Sequence, residues 1–280
     1  MSDWEELGPG VFRRRYPLFD QNVGLVCGRD EALLVDTRPT PSATRELLAD
    51  LAGITRLPVR HVVNTHFHFD HTFGNEFFPQ AAIWGHRRCA ARLRRDGERL
   101  RAAVIAWAPD LASELAAVRI VPPGNIVSAP LDLLVGGRTV TLDLPGRGHT
   151  DGDLAVLVPD AGVLFAGDLI EEGAPPSFED SYPLEWPAAV DRLLDVAAVA
   201  VDRGRVVPGH GDVVGRAFVA DQLALLRTVA GEARRSYERG LPASQAAASL
   251  PLSREVALVA VRRAYRQLRA TRPGRVAAGG

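Results

Sequence analysis

Short apolar runs bounded by turn-forming residues divide the first third of the chain into strands. Between the second and third of them, Leu47, Leu48 and Leu51 recur at helical spacing, which predicts a helix over residues 42–51. Pro41 directly before it suits the first turn of a helix. The strands are predicted at Val23–Cys27, Ala32–Val35 and Val59–Asn64.

The same order of strands followed by helices then recurs. Residues 86–117, rich in Ala, Arg and Leu, predict one or two helices broken near Pro109. After a second group of strands come a helix near 188–201, a strand at 205–207, and helices from 216 to about 270, the last capped by Ser253. The second group of strands is predicted at Ile126–Ser128, Leu131–Val135, Thr139–Leu144, Leu154–Val158 and Val163–Ala166.

This order is typical of an α/β protein with an αββα sandwich, in which two mixed β-sheets pack together with helices outside. No segment has the composition of a linker. We therefore interpret residues 1–215 as the main domain and residues 216–280 as a helical extension packed on it. Residues 273–280 are expected to form a frayed tail.

Composition excludes several kinds of partner and chemistry. The formal net charge of −1 provides no field that would steer the protein to nucleic acid or anionic lipid. No apolar run approaches the ~20 residues of a membrane helix. All 33 basic residues are arginine, which excludes mechanisms with a lysine nucleophile or Schiff base. We expect a small-molecule substrate, with neither nucleic acid nor a membrane as partner, and leave the oligomeric state open.

The cysteines and the N-terminus bear on the compartment. Cys27 and Cys89 lack CxxC spacing and cannot form a disulfide framework. The chain begins with acidic residues and lacks the basic start and apolar stretch of a signal peptide. A cytoplasmic protein is therefore expected. The arginines over residues 254–272 fit either a solvated helix face or a patch for an acidic partner.

Histidine placement carries the candidate chemistry. His66, His68, Asp70 and His71 lie within six residues, directly after the predicted strand that ends at Asn64. Imidazole nitrogens and carboxylate oxygens are ligands of zinc and similar cations. Without a cation, three histidines and an acid would crowd together with desolvated polar tips. Three further candidates follow strands in glycine-rich turns, namely His149, Asp168 and His210.

The motifs HxHxDH, Gly-His-Thr, Gly-Asp and Pro-Gly-His, in this order, resemble those of the metallo-β-lactamase superfamily over about residues 10–215. The resemblance implies that fold, with Asp36 as a structural residue that holds a loop. It assigns His66, His68 and His149 to one metal ion, and Asp70, His71 and His210 to a second. Asp168 would bridge both ions, which are expected to be Zn²⁺, with iron or manganese as alternatives.

The implied activity is hydrolysis of a carbonyl ester, thioester or lactone by a metal-bridging hydroxide. Asp70 would orient that hydroxide as the catalytic carboxylate. The segment after Asp168 is expected to form a rim over the site, with substrate contacts from Phe178, Tyr182 and Trp186. His86 is interpreted as structural or supporting, because the seven residues already complete two sites, and His61 as a packed or surface residue.

Other functions on the same scaffold stay open. One is an iron-dependent sulfur dioxygenase with a single iron. A second is a β-lactamase, disfavoured because such enzymes act outside the cytoplasm and zinc β-lactamases carry a cysteine where this chain has Asp168. True glyoxalase II is disfavoured by the absence of lysine. The last alternative is a non-catalytic metal-binding protein, although the ligand set is intact.

Overall fold

Two β-sheets form the centre of the molecule in the computed structural model, which describes residues 4–271. In the first sheet, strands β1 to β4 are antiparallel and β4 to β7 are parallel. The strands lie in chain order: β1 Glu5–Gly8, β2 Val11–Tyr16, β3 Gln21–Cys27, β4 Ala32–Val35, β5 Val59–Asn64, β6 Ala82–His86 and β7 Asn125–Val127.

The second sheet has the order β12-β11-β10-β9-β8, with a parallel pair of β11 and β12 and antiparallel pairs elsewhere. Both sheets are therefore mixed. Its strands are β8 Leu131–Val135, β9 Arg138–Asp143, β10 Ala155–Val158, β11 Val163–Gly167 and β12 Val206–Pro208.

Helices flank both sheets. Thr40 caps the first of them by accepting a hydrogen bond from the backbone N–H of Ala43. Short 3₁₀ turns cover residues 18–20, 73–77 and 109–111. The α-helices are α1 Pro41–Ile54, α2 Phe69–Thr72, α3 Arg87–Trp107, α4 Ala112–Ala117, α5 Trp186–Val196, α6 Ala198–Asp202, α7 Arg216–Glu238, α8 Ala243–Ala247 and α9 Arg254–Thr271.

Apolar side chains fill the space between these layers. Leu33 and Val63 of the first sheet pack against Leu142 and Phe165 of the second. Another cluster joins α1 to the first sheet, and the largest one joins the second sheet to α5–α9. The predicted αββα sandwich is confirmed, and the helices after residue 215 share a core with the second sheet.

Several elements differ from the prediction, and β6 at Ala82–His86 is not among the predicted strands. Strands β1 and β2 were not predicted, because the three arginines in Val11–Tyr16 obscure the apolar alternation. The helix predicted near 188–201 is two helices with a break at Ala197.

The predicted cap is present, since Ser253 Oγ accepts a hydrogen bond from Val256 N. The predicted tail at 273–280 lies outside the described residues.

None of the helices in residues 4–271 combines the length and the apolar character that crossing a membrane requires.

Candidate metal centre

The first histidine motif lies where the parallel strands β4 and β5 end. Asp36, just after β4, has a left-handed backbone with φ of 63°. Its carboxylate accepts hydrogen bonds from Thr65 N and Thr65 Oγ1, both 2.8 Å long, and lies 2.8 Å from His71 Nδ1. Because Asp36 takes up Nδ1, the Nε2 atom of His71 faces the site. Asp36 thus holds the loop, as predicted.

The structure brings all seven predicted ligand residues into two adjacent groups. Within each group, the potential ligand atoms lie within 4.8 Å of one another. The first group contains His66, His68, His149 and Asp168, and the second contains Asp70, His71 and His210.

Asp168 lies between the two groups. Its carboxylate is 3.4 Å from His149 Nε2 in the first group, and 3.4 Å from His71 Nε2 and 3.3 Å from His210 Nε2 in the second. Four histidines, with His66 at 3.6 Å, therefore surround one buried acid. This is the placement expected of a carboxylate that bridges two cations.

The donor set fits cations. His68 Nδ1 lies 3.0 Å from His66 Nε2 and 2.9 Å from His149 Nε2, so three imidazole nitrogens converge on one point. Asp168 Oδ1 is buried and has no hydrogen-bond partner among residues 4–271. A buried polar atom without a partner is rare in folded proteins, and a bound cation would satisfy this one. Imidazole and carboxylate together are typical zinc ligands.

Burial and ion pairing shift the pKa values of this cluster in opposite directions. Burial lowers the pKa of His149, but Asp168 and Glu171 outweigh it and raise the value to about 9. Burial also lowers the pKa of His210, but Asp168 outweighs this effect, and the pKa of His210 rises to about 9. Burial raises the pKa of Asp70, but His71 outweighs it and lowers the value to about 2. The metal-free cluster therefore holds protons that a cation would displace.

Three supporting residues were missed from the sequence. Glu171 Oε1 lies 3.0 Å from His149 Nδ1, and Gln222 of α7 accepts the backbone N–H of Glu171 at 3.0 Å. Asp180 Oδ2 lies 3.3 Å from His68 Nε2, which leaves His68 Nδ1 for the site. Each acid holds the ring nitrogen that faces away from the cluster. Nothing in the local sequence separates these residues from neighbouring acids.

Strand β3 connects the two halves of the site. Gln21 Nε2 donates hydrogen bonds to the backbone carbonyls of Thr37 and Asp70, at 2.7 and 2.5 Å. Asn22 Nδ2 donates to the carbonyls of Pro208 and Gly211, both at 2.9 Å. Two buried amides thus fix the loop that carries Asp70 relative to the loop that carries His210.

The predicted rim is only partly correct. Phe178 and Trp186 are 1% and 0% exposed and belong to the core between the second sheet and its helices. They therefore do not form an open substrate surface. The ring of Trp186 packs against the ring of His149, with the two ring centres 5.7 Å apart. Tyr182 is half-buried and lies 4.5 Å below the guanidinium of Arg147.

The two remaining histidines lie outside both groups. His86 Nδ1 accepts the backbone N–H of Arg88 and so caps α3. His61 Nδ1 accepts a hydrogen bond from Trp84 Nε1. Both have structural hydrogen bonds that agree with their interpretation.

Known proteins resemble this chain in sequence. A family model described as the metallo-beta-lactamase superfamily matches residues 16–210. A metallo-beta-lactamase type 2 of Bacillus cereus is 26% identical over 210 residues, which cover 73% of this chain and 72% of the relative. An acyl-coenzyme A thioesterase MBLAC2 of Bos taurus is 27% identical over 242 residues, covering 75% and 81%. A hydroxyacylglutathione hydrolase of Rhodobacter capsulatus is 29% identical over 182 residues, covering 65% and 57%.

Solved structures agree on the fold. A metallo-beta-lactamase from Pontibacter korlensis superposes with a TM-score of 0.62 at 21% identity, over 80% of this chain and 98% of that structure. The family match runs from Tyr16, the last residue of β2, to His210 and includes every residue of the two groups. The chain is therefore a hydrolase that belongs to the metallo-beta-lactamase superfamily.

Proposed function

We propose that the protein is a dinuclear metal-dependent hydrolase of carbonyl esters, and of thioesters in particular. The observation that carries the proposal is the position of Asp168, whose buried carboxylate is shared by histidines of both ligand groups. Thioesters are favoured because two relatives are named as hydrolases of acyl-coenzyme A and of hydroxyacylglutathione. Esters and lactones have the same reacting carbonyl and belong to the same reaction class.

The proposed ligands divide as the two groups do. His66, His68 and His149 would hold one ion, and Asp70, His71 and His210 the other, with Asp168 between them. Two divalent cations held by these residues would supply Lewis-acid chemistry, namely the activation of a water molecule and the polarisation of a substrate carbonyl. We propose zinc as the natural metal, since the donors are mainly imidazole.

The protein's own groups would orient the reactants. Asp70 has a pKa of about 2 and therefore stays ionised at neutral pH, where its carboxylate can accept a hydrogen bond from the attacking water. His149 and His71 keep fixed ring orientations through Glu171 and Asp36. Burial of these residues limits competing water in the site.

The test combines metal analysis with a substrate panel. Purified protein should contain two equivalents of zinc and hydrolyse acyl-coenzyme A or acylglutathione faster than lactones, aryl esters or phosphodiesters. His86→Ala serves as a matched control, because His86 lies outside both groups, and it should retain both metals and the activity. One iron with oxygen uptake, or an intact metal centre without any hydrolysis, would overturn the proposal.

A second candidate, β-lactam hydrolysis, is favoured by the likeness to the Bacillus cereus enzyme. The same panel should include a chromogenic cephalosporin. Turnover of the cephalosporin above that of every thioester would favour this candidate over the first.

A further inference from the structure

A cationic cavity of about 350 Å³ lies beside the metal centre, between helix α9 and the segment that follows Asp180. Two connections place it there. Tyr182 in its wall donates its backbone N–H to Gly148 O at 2.8 Å, directly before His149. Asp180, two residues before Tyr182, lies 3.3 Å from His68. The cavity therefore adjoins two loops that carry proposed metal ligands.

Three arginines line this cavity. Arg147 comes from the loop before His149, and Arg263 and Arg266 come from α9. Among the lining residues that the structure describes, the only carboxylate is that of Glu185, which binds Arg147 through two hydrogen bonds of 2.6 and 2.8 Å. Three guanidinium groups against one carboxylate leave an excess of two positive charges.

Two of the arginines are held in place. The ring centre of Tyr182 lies 4.5 Å from the Arg147 guanidinium and 5.7 Å from that of Arg263, so the ring contacts both. Arg263 also donates its Nε–H to Ser181 O at 3.0 Å, which leaves its terminal nitrogens for a ligand. A guanidinium that is already positioned loses less conformational entropy when it binds an anion.

Arg266 completes the cluster. It is exposed, and it forms no ion pair with any carboxylate in residues 4–271. An arginine on a solvated helix face would not need other guanidinium groups beside it. Here, however, two partly positioned guanidinium groups and an unpaired third one face the same cavity. Their planar donor pairs match the oxygens of a carboxylate or a phosphate.

We propose that this cavity binds anionic oxygens, carboxylate or phosphate, on the leaving group of the substrate, while the thioester carbonyl lies at the metal centre. This inference rests on the proposed thioesterase activity for the role of the ligand, but the anion site itself can be tested separately. In this proposal, Arg263 and Arg266 are substrate-binding residues that helix α9, which follows residue 215, contributes to the site.

Direct binding tests the anion site. Desulfo-coenzyme A carries the phosphates without a thiol, and S-methylglutathione carries the carboxylates. Calorimetric titration of the metal-loaded protein with both probes identifies which anion the cavity takes. Arg266→Gln and the double variant Arg263→Gln/Arg266→Gln should bind the preferred probe about 10- to 100-fold more weakly, the range expected for lost charged hydrogen bonds.

Arg262→Gln is the matched control. It removes the same charge from the same helix, but Arg262 is exposed and does not line the cavity. It should change the dissociation constant less than twofold. Arg266→Gln breaks no hydrogen bond within the described fold, so its effect does not depend on folding. Equal binding by wild type and both cavity variants, or no binding of either probe to wild type, would overturn the proposal.

Kinetics separate this proposal from the proposed function. S-acyl-N-acetylcysteamine has the thioester but no anionic group. The cavity variants should lose kcat/KM for the charged thioester and keep it for the neutral one. If wild type hydrolyses neither thioester, the proposed function fails, while the binding titration still decides whether the cavity is an anion site.

Discussion

Among residues 4–271, Asp168 is the one carboxylate that lies within 3.6 Å of histidines from both ligand groups. We expect Asp168→Ala to bind fewer than two metals and to lose activity, since both cations lose a ligand and their repulsion is less compensated. His210→Ala should keep about one metal, because the first group stays complete. Elemental analysis measures this, with a thermal melt to confirm folding. Two tightly bound metals in a folded Asp168→Ala protein would contradict the bridging role.

Gly209 packs directly against that carboxylate. A Cβ at this position would collide with Asp168 Oδ1. Gly209→Ala should therefore displace Asp168 without removing any ligand, and lower both metal affinity and kcat/KM, the latter by up to about 100-fold. Gly53→Ala is the control, because a Cβ there meets no atom within 4 Å. Unchanged metal affinity in Gly209→Ala would show that the carboxylate tolerates the shift.

Sequence predicted individual residues well where a motif marked them. All seven proposed ligands lie together in the structure. The sequence could predict this because histidines and acids gathered so densely after strands are rarely stable unless they share a cation. Phe178 and Trp186 were wrong as rim residues, since closeness to Asp168 along the chain does not determine whether a side chain faces the core. Glu171 and Asp180 were missed because their role depends on contacts with histidines 22 and 112 residues away.

At the scale of elements, α7 supports the metal centre through one buried amide. Gln222 accepts the backbone N–H of Glu171 and donates to Leu169 O at 2.8 Å. Gln222→Leu leaves the buried backbone N–H of Glu171 unpaired, whereas Leu169 O keeps its hydrogen bond from Trp186 Nε1, and the lost pairing should cost about 1–3 kcal/mol of unfolding free energy. It should also weaken metal binding, because Glu171 lies 3.0 Å from His149. Denaturant unfolding and metal titration measure the two effects.

The same substitution at an exposed glutamine is the control for that prediction. Gln245 is exposed on α8, so Gln245→Leu should leave both quantities unchanged within about 0.5 kcal/mol. A Gln222→Leu protein that loses stability but binds metal as wild type does would show that α7 supports the fold without positioning His149.

Strands flanked by clear turn residues were predicted to the residue, as β4, β5 and β8 show. Strand β2 was missed because its charged positions do not look like a strand in isolation. Arg13 and Arg14 are mostly buried, and they pair with Glu5 on β1 and Asp50 on α1. Those partners become visible only once the tertiary fold brings them close.

At the scale of the whole molecule, the proton-loaded cluster makes stability depend on pH when metal is absent. His149 and His210 have folded pKa values of about 9, above the ~6.5 of an unfolded histidine. Their contribution to stability is complete below pH ~6.5 and is lost as the pH rises through about 9. The metal-free protein should therefore melt at lower temperature at pH 9 than at pH 6.5.

Metal binding should show the opposite trend. Because a cation displaces these protons, affinity should rise over the same pH range, and binding at pH 7 should release protons. Calorimetry in two buffers of different ionisation enthalpy counts the protons, and melts with a chelator follow the metal-free form. If the melting temperature of the metal-free protein, measured with a chelator present, rises steadily to pH 9, the assigned protonation states are contradicted.

The link that β3 makes between the two ligand loops has a consequence for biosynthesis. The Asp70 loop and the His210 loop are held by neighbouring side chains, Gln21 and Asn22, although about 140 residues of chain separate them. A ribosome that has translated the HxHxDH motif still has to extend the chain past residue 210 before Asn22 can make its bonds. Contacts so distant in sequence form late in folding. Metal loading of the complete centre should therefore follow synthesis of residue 210, because a nascent chain stalled before residue 168 would offer His66, His68, Asp70, His71 and His149 but neither Asp168 nor His210.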